Sequence, residues 1–201
     1  MIIKAPLPIF YKTPNKTNSI KIPETVLNII NRSLNAKRKL FVFVPTISLC
    51  RFVYEKIVNS YKDHSLKYKK HLSMTEIQNS SLSENIPRIT LIHANHPKRE
   101  SRRKAFQKGN IDIVISTTVL ERGITVKNVD VLVLYADYER IFDTATLIQM
   151  AGRAGRDKDD TRAKVYFLAN SVSDSMRIAY KSICDMNAYA DKQGYLSSTH
   201  I

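Results

Sequence analysis

Short apolar runs alternate with stretches whose apolar positions recur at helical spacing, and that alternation sets the class of the chain. Leu40 to Val44, Arg88 to His93, Ile111 to Ile115, Val131 to Leu134 and Ala163 to Leu168 are short and rich in β-branched or aromatic residues, as strands buried on both faces are. Pro23 to about Asn35 places Val26, Leu27, Ile30 and Leu34 on one helical face. Beyond Thr46, a natural cap, Leu49, Cys50, Val53 and Ile57 recur at the same period. Further helices are predicted from Pro97 to Lys108, where Gly109 stops the run, from Ile141 to Met150, and from Val172 to Tyr189. Strand then helix, repeated, predicts an α/β fold with a mainly parallel sheet covered by helices on both faces.

Three segments break the pattern. Residues 1–23 carry Pro6, Pro8, Pro14 and Pro23 among Lys and Asn, so they read as an extended or poorly ordered lead-in, the tail of an interdomain linker. Residues 60–86 are polar and rich in Ser and Lys; the expectation is an insertion, partly disordered or forming one short helix. Residues 191–201 read as a tail. The organisation expected is a lead-in with a first helix (1–35) and one domain over 36–190.

Composition narrows the function. A chain of 201 residues that is 43% hydrophobic can build one sizeable core. No apolar run reaches the length of a membrane span and no signal-peptide core is visible, so a cytoplasmic setting, at most peripheral to a membrane, is expected. Cys50 and Cys184 are far apart in apolar helical stretches; they read as reduced core residues and support no zinc site. His93 and His96 lack a third ligand, and His93 reads as a satisfied core histidine. A net charge of +14 favours a polyanion, most readily a nucleic acid, bound less tightly as salt rises. The basic run Lys98 to Lys104 reads mainly as a solvated helix face, with Ala105 and Phe106 as a narrow apolar contact.

Two stretches carry chemistry. In Gln149-Met-Ala-Gly-Arg-Ala-Gly-Arg156, two arginines three apart each follow a glycine. Glycine lets a backbone approach a ligand closely, and each guanidinium is a permanent planar fork suited to phosphate oxygens. A basic loop at a helix end is the plainer alternative. Upstream, Ser116, Thr117 and Thr118 stand at the carboxyl end of a strand, where α/β sheets present ligand-binding groups, and their hydroxyls and amides suit the phosphates of a nucleic-acid strand. Thr118 would also serve as the cap of a short helix ended by Gly123.

Ser116-Thr-Thr-Val-Leu-Glu-Arg-Gly-Ile-Thr125 resembles motif V of superfamily 2 helicases, and Gln149-x-x-Gly-Arg-x-Gly-Arg156 resembles motif VI. Leu40-Phe-Val-Phe-Val-Pro-Thr46 resembles motif IV, and His93-x3-Pro97-x-Arg99 with Phe106-x2-Gly109 resembles the segment before motif V. Met186-Asn187 also fits. The wording is similar to the late competence DNA-uptake motors of the ComFA family. The resemblance spans about residues 36–190 and implies a RecA-like domain, the second of two, acting as half of an ATP-driven helicase or translocase on single-stranded DNA.

It further implies roles. Arg153 and Arg156 would face ATP, with Arg156 as the arginine finger; Gln149, Gly152, Gly123 and Thr125 would lie near the nucleotide. Thr125 departs from the aspartate that many RNA helicases of the superfamily carry there, which puts a ribose contact in doubt. Thr46, Ser116, Thr117, Thr118 and Arg99 would touch the DNA strand. The expected partners are single-stranded DNA, an amino-terminal RecA-like domain and other competence proteins. With only five glycines, the sequence holds no Gly-x4-Gly-Lys-Ser/Thr loop and no Asp-Glu pair, so ATP and Mg2+ are expected to be shared with that missing domain and the chain alone to be inactive. A stand-alone nucleic-acid-binding module and half of an RNA helicase remain as alternatives.

Overall fold

The computed structural model describes residues 5–12, 22–70, 86–94, 96–118, 126–157 and 160–195. Within them the chain forms β1 (Pro8–Lys12), α1 (Glu24–Asn35), β2 (Lys39–Phe43), α2 (Ile47–Lys70), β3 (Ile89–Ile92), α3 (Arg99–Gln107), β4 (Ile113–Ser116), β5 (Val129–Leu134), α4 (Thr144–Ala151), β6 (Val165–Ala169) and α5 (Asp174–Lys192). The strands make one six-stranded sheet in the order β1-β6-β5-β2-β4-β3, and every pairing is parallel. This is the α/β architecture, a parallel sheet covered on both faces, that the alternation predicts, and it agrees with the RecA-like domain that the resemblance implies.

Both faces are covered, which is why the central strands are buried, and mostly apolar, at nearly every position rather than at alternate ones. On one face α1 and α2 bring Val26, Ile29, Ile30, Cys50, Val53 and Ile57 against Leu40, Val42, Ile113, Ile115 and Leu132. On the other, α3, α4 and α5 bring Phe106, Leu147, Met150, Met176 and Ala179 against Phe41, Phe43, Val131, Val133 and Phe167. Phe106 is the buried residue of the strongly basic α3, and its ring meets Phe41 edge-on at 4.8 Å. Truncating it would cost about 3–5 kcal/mol, and Arg102 adds a second hold on the sheet by donating to Leu91 O of β3 at 2.8 Å.

Caps fall where short polar side chains precede apolar runs. The Thr46 Oγ1 accepts the Leu49 N–H at 3.2 Å, Asp143 accepts from Thr146 at 2.7 Å, and Ser173 accepts from Met176 at 3.3 Å. Gly109, at φ +81, takes the left-handed turn that ends α3.

Two segments differ from expectation. The proline-bearing lead-in supplies β1, an edge strand beside β6, where a missing proline N–H is tolerated. The Asn187 side chain fastens the peptide just before it, donating to Ala5 O at 2.9 Å and accepting the Ala5 N–H at 2.8 Å. Residues 60–70 are the continuation of α2 rather than the start of an insertion: Ile57 and Tyr61 keep the helix on the sheet, and the polar residues after them extend it. Of the expected insertion, residues 71–85 lie outside the described residues, as do 1–4 and 196–201.

Candidate functional site

In a parallel sheet all carboxyl ends lie along one edge and all amino ends along the other, and the candidate residues divide between the two. At the carboxyl edge the order is Asn170 after β6, Tyr135 after β5, Thr46 after β2, Thr117 after β4 and His93 after β3. Thr46 is exposed, with its hydroxyl engaged in capping α2. Thr118 is half-buried and Thr117 buried. Ser116 is fully buried, and its hydroxyl donates to Ile92 O at 2.7 Å, tying β4 to β3. Its hydroxyl is thus engaged within the sheet, beside the edge that the two threonines present.

On the neighbouring β3 side, His93 is buried as expected, but it is not a satisfied core histidine: its Nδ1 has no partner among the described residues. His96 packs edge-on to it at 5.4 Å and accepts the Lys98 N–H on Nδ1 at 3.1 Å. Burial, then the charges of Arg102, His93 and Lys98, hold the His96 imidazole below its ordinary range, in keeping with that accepting nitrogen. Arg99 opens α3, half-buried, with its Nε buried and without a hydrogen-bond partner among the described residues. The structure thus gathers Thr46, Thr117, Thr118, His93 and Arg99 at one edge.

The arginine block lies elsewhere. Because β5 and β6 are parallel, α4 must run back across the sheet, and the bend that follows it, from Gly152 onward, sits at the amino edge. Gln149 is exposed on the last turn of α4. Gly152 caps the helix at φ −66. Arg153 is only 5% exposed, whereas Arg156 is exposed. The Arg156 Nε donates to Gly152 O at 2.5 Å, covering a helix-end carbonyl with one N–H and leaving the rest of the fork. The two arginines are thus neighbours in one bend with different surroundings.

Gly155 has a structural reason of its own, apart from approach to a ligand. Its φ is +65, and an added Cβ would stand 3.3 Å from Pro6 Cδ and 3.5 Å from Ala163 Cβ. The lead-in before β1 thereby packs on the bend that carries the arginines. Gly123 and Thr125, with the rest of 119–125, lie outside the described residues, as do Lys158 and Asp159.

A buried ion cluster that the sequence reading missed secures the same bend. Arg38, just before β2, donates through Nε to Asp130 at 2.7 Å and through both terminal nitrogens to Asp160 at 2.6 and 2.9 Å. Asp130 also accepts from Ser33 of α1 at 2.8 Å and from the Lys164 N–H at 2.9 Å. Burial pulls the Arg38 pKa down, but the hydrogen bonds and charges of Asp160 and Asp130 outweigh it and leave it above the ordinary arginine value. Lys127 adds an ion pair to Asp157, the residue after Arg156, at 2.7 Å. A visible signal existed: Asp130 is the one charged residue in a strand buried at every position, and such a group needs a buried partner.

With this geometry in view, comparison with known proteins gives the class. The chain belongs to the helicase conserved C-terminal domain family, whose pattern matches residues 21–158. It is a helicase C-terminal, RecA-like domain of superfamily 2. It is 32% identical over 177 residues to competence protein ComFA of Bacillus subtilis, covering 88% of this chain and 33% of that protein. It is 41% identical over 87 residues to ComFA of Streptococcus pneumoniae, covering 43% of this chain and 20% of the relative. The chain thus spans a third or less of these relatives. Among solved structures, the Mycobacterium smegmatis helicase Lhr, bound to ssDNA and AMP-PNP, superposes with a TM-score of 0.58 at 15% identity. That match covers 99% of this chain and 23% of Lhr, and it shows a shared fold. Among the described residues no helix is long and apolar enough to cross a membrane.

Proposed function

We propose that this chain is the second motor domain of a ComFA-type, ATP-driven translocase that moves single-stranded DNA during DNA uptake. The observation that carries the reading is the division of labour between the two sheet edges. Threonines and partly buried basic groups line the carboxyl edge, where they suit a phosphate backbone. An exposed arginine stands on a bend at the amino edge that is fastened by Gly155, Asp157 and Asp160.

ATP with Mg2+, held by an amino-terminal RecA-like domain, would supply the phosphoryl group and the divalent charge. This chain's part is then electrostatic. Arg156, freed from Gly152 O, would present its fork to the phosphates, and a preorganised bend would spare the cost of ordering that side chain at the moment of reaction. Arg153, buried in the same bend, is the second arginine, and Gln149 stands on the helix leading into it. At the other edge Thr46, Thr117 and Thr118 would hold the strand, each neutral contact contributing about 0.5–1.5 kcal/mol. Similarity to ComFA and the +14 charge support DNA as the track.

The test is to join the chain to the amino-terminal half of a ComFA protein. The joined protein should hydrolyse ATP faster in the presence of single-stranded DNA, and RNA should compete poorly. Binding of single strands with no ATP turnover in the joined protein would instead favour a stand-alone nucleic-acid-binding module. Equal stimulation by RNA would favour half of an RNA helicase.

A further inference from the structure

The bend after β5 is held in an unusual conformation, and what it holds out is apolar. Tyr135 sits at φ +58, a left-handed conformation that a bulky L-residue adopts only when its surroundings enforce it. The surroundings do so. The Ala136 N–H donates to Leu168 O at 2.9 Å, and Asp137 Oδ2 accepts the N–H groups of Asn170 and Ser171 at 3.1 and 3.4 Å. Glu139 accepts the Ser175 N–H at 3.1 Å, and Phe142 is fully buried just beyond. Turn bonds from Ile141 and Phe142 to Tyr138 O, at 3.0 and 2.9 Å, close the tip.

A loop fastened this way does not expose its large side chains through slack. Yet Tyr138 is 45% exposed and Ile141 38% exposed, and Val172 on the adjoining turn is 37% exposed. The charges are sorted as well. Asp137 and Glu139 are committed to backbone amides of the next turn, while Arg140, between the two exposed apolar residues, is itself exposed. An aromatic ring beside an arginine suits an unpaired base followed by its phosphate.

The position agrees. The carboxyl ends of β4, β2 and β5 are successive in the sheet. With neighbouring strands about 4.8 Å apart, Thr117 and Tyr135 end strands roughly 10 Å from each other. Neighbouring nucleotides of one strand can reach across such a span.

We infer that Tyr138, with Ile141 and Arg140, is a stacking seat for one base of the single strand whose phosphates run along Thr46, Thr117 and Thr118. This rests on the nucleic-acid reading above, and the test separates the two. The full chain is titrated at fixed low salt with fluorescent oligo-dT and with an abasic oligonucleotide of equal length. Tyr138→Ala should weaken binding to oligo-dT by about 5- to 100-fold and to the abasic strand by less than twofold, with Tyr138→Phe close to wild type on both. A thermal melt establishes that each variant is folded. Equal losses on both strands, or no loss on oligo-dT, overturn the seat while leaving the nucleic-acid reading intact. If the wild-type chain binds neither strand, the nucleic-acid reading fails and the seat falls with it.

Discussion

Replacing Arg38 by methionine is the sharpest test of how the arginine bend is held. The guanidinium is 4% exposed and bridges two carboxylates that are each 3% exposed, so methionine leaves Asp130 and Asp160 buried without their cation. Removing one partner of such a cluster costs about 3–5 kcal/mol, much more than the cluster adds over an apolar replacement of all its members. Against a total stability of about 5–15 kcal/mol that is a large fraction. At about 2–4 °C per kcal/mol for a domain of this size, the melting temperature should fall by roughly 6–20 °C. Arg177→Ala is the control: its pair with Asp174 spans one exposed helical turn, at 65% and 82% side-chain exposure. Losing that pair should change stability by about 0.5 kcal/mol or less. Urea unfolding of the three proteins, with slopes compared to confirm two-state behaviour, gives both differences. An Arg38→Met protein within about 1 kcal/mol of wild type would refute the buried-cluster reasoning, because two stranded carboxylates cannot be that cheap.

Other outcomes follow from the same geometry. Burial pushes the Cys50 thiol up to about 11, whereas Cys184 is partly exposed, so iodoacetamide at pH 8 should label Cys184 in the native chain and Cys50 only after unfolding. Burial raises the Asp112 carboxyl, but the hydrogen bonds and charge of Arg88 outweigh it and leave it below its ordinary value. A depressed folded pKa gives stability that is present above the unfolded value and lost as pH falls through the folded one. Asp112→Asn should therefore flatten the loss of stability below about pH 4, measured as urea midpoints against pH.

Much of the sheet was legible because parallel strands buried on both faces leave unbroken apolar runs, and the helices between them keep an apolar stripe. Strand order was not, since it depends on crossovers that no local pattern records. The first strand was hidden by its prolines, which an edge position tolerates, and the end of α2 by polar residues that continue a helix begun on apolar contacts. At the site, motif spacing named candidate residues without their surroundings. The Ser116 hydroxyl is spent on a bond within the sheet, and Arg153 is buried. Arg38 and Asp160 went unnoticed because each looks like a surface charge until Asp130, a lone carboxylate in an apolar strand, is asked for its partner.

The measurement that bears most directly on the account is the rate of DNA-stimulated ATP hydrolysis by the chain joined to an amino-terminal RecA-like half, for wild type and for Arg156→Ala. Single-strand binding is measured beside it. If Arg156 meets the nucleotide, turnover should fall by about 10³-fold or more with DNA affinity unchanged. Full turnover in the Arg156→Ala protein would contradict the assignment of this bend to the nucleotide.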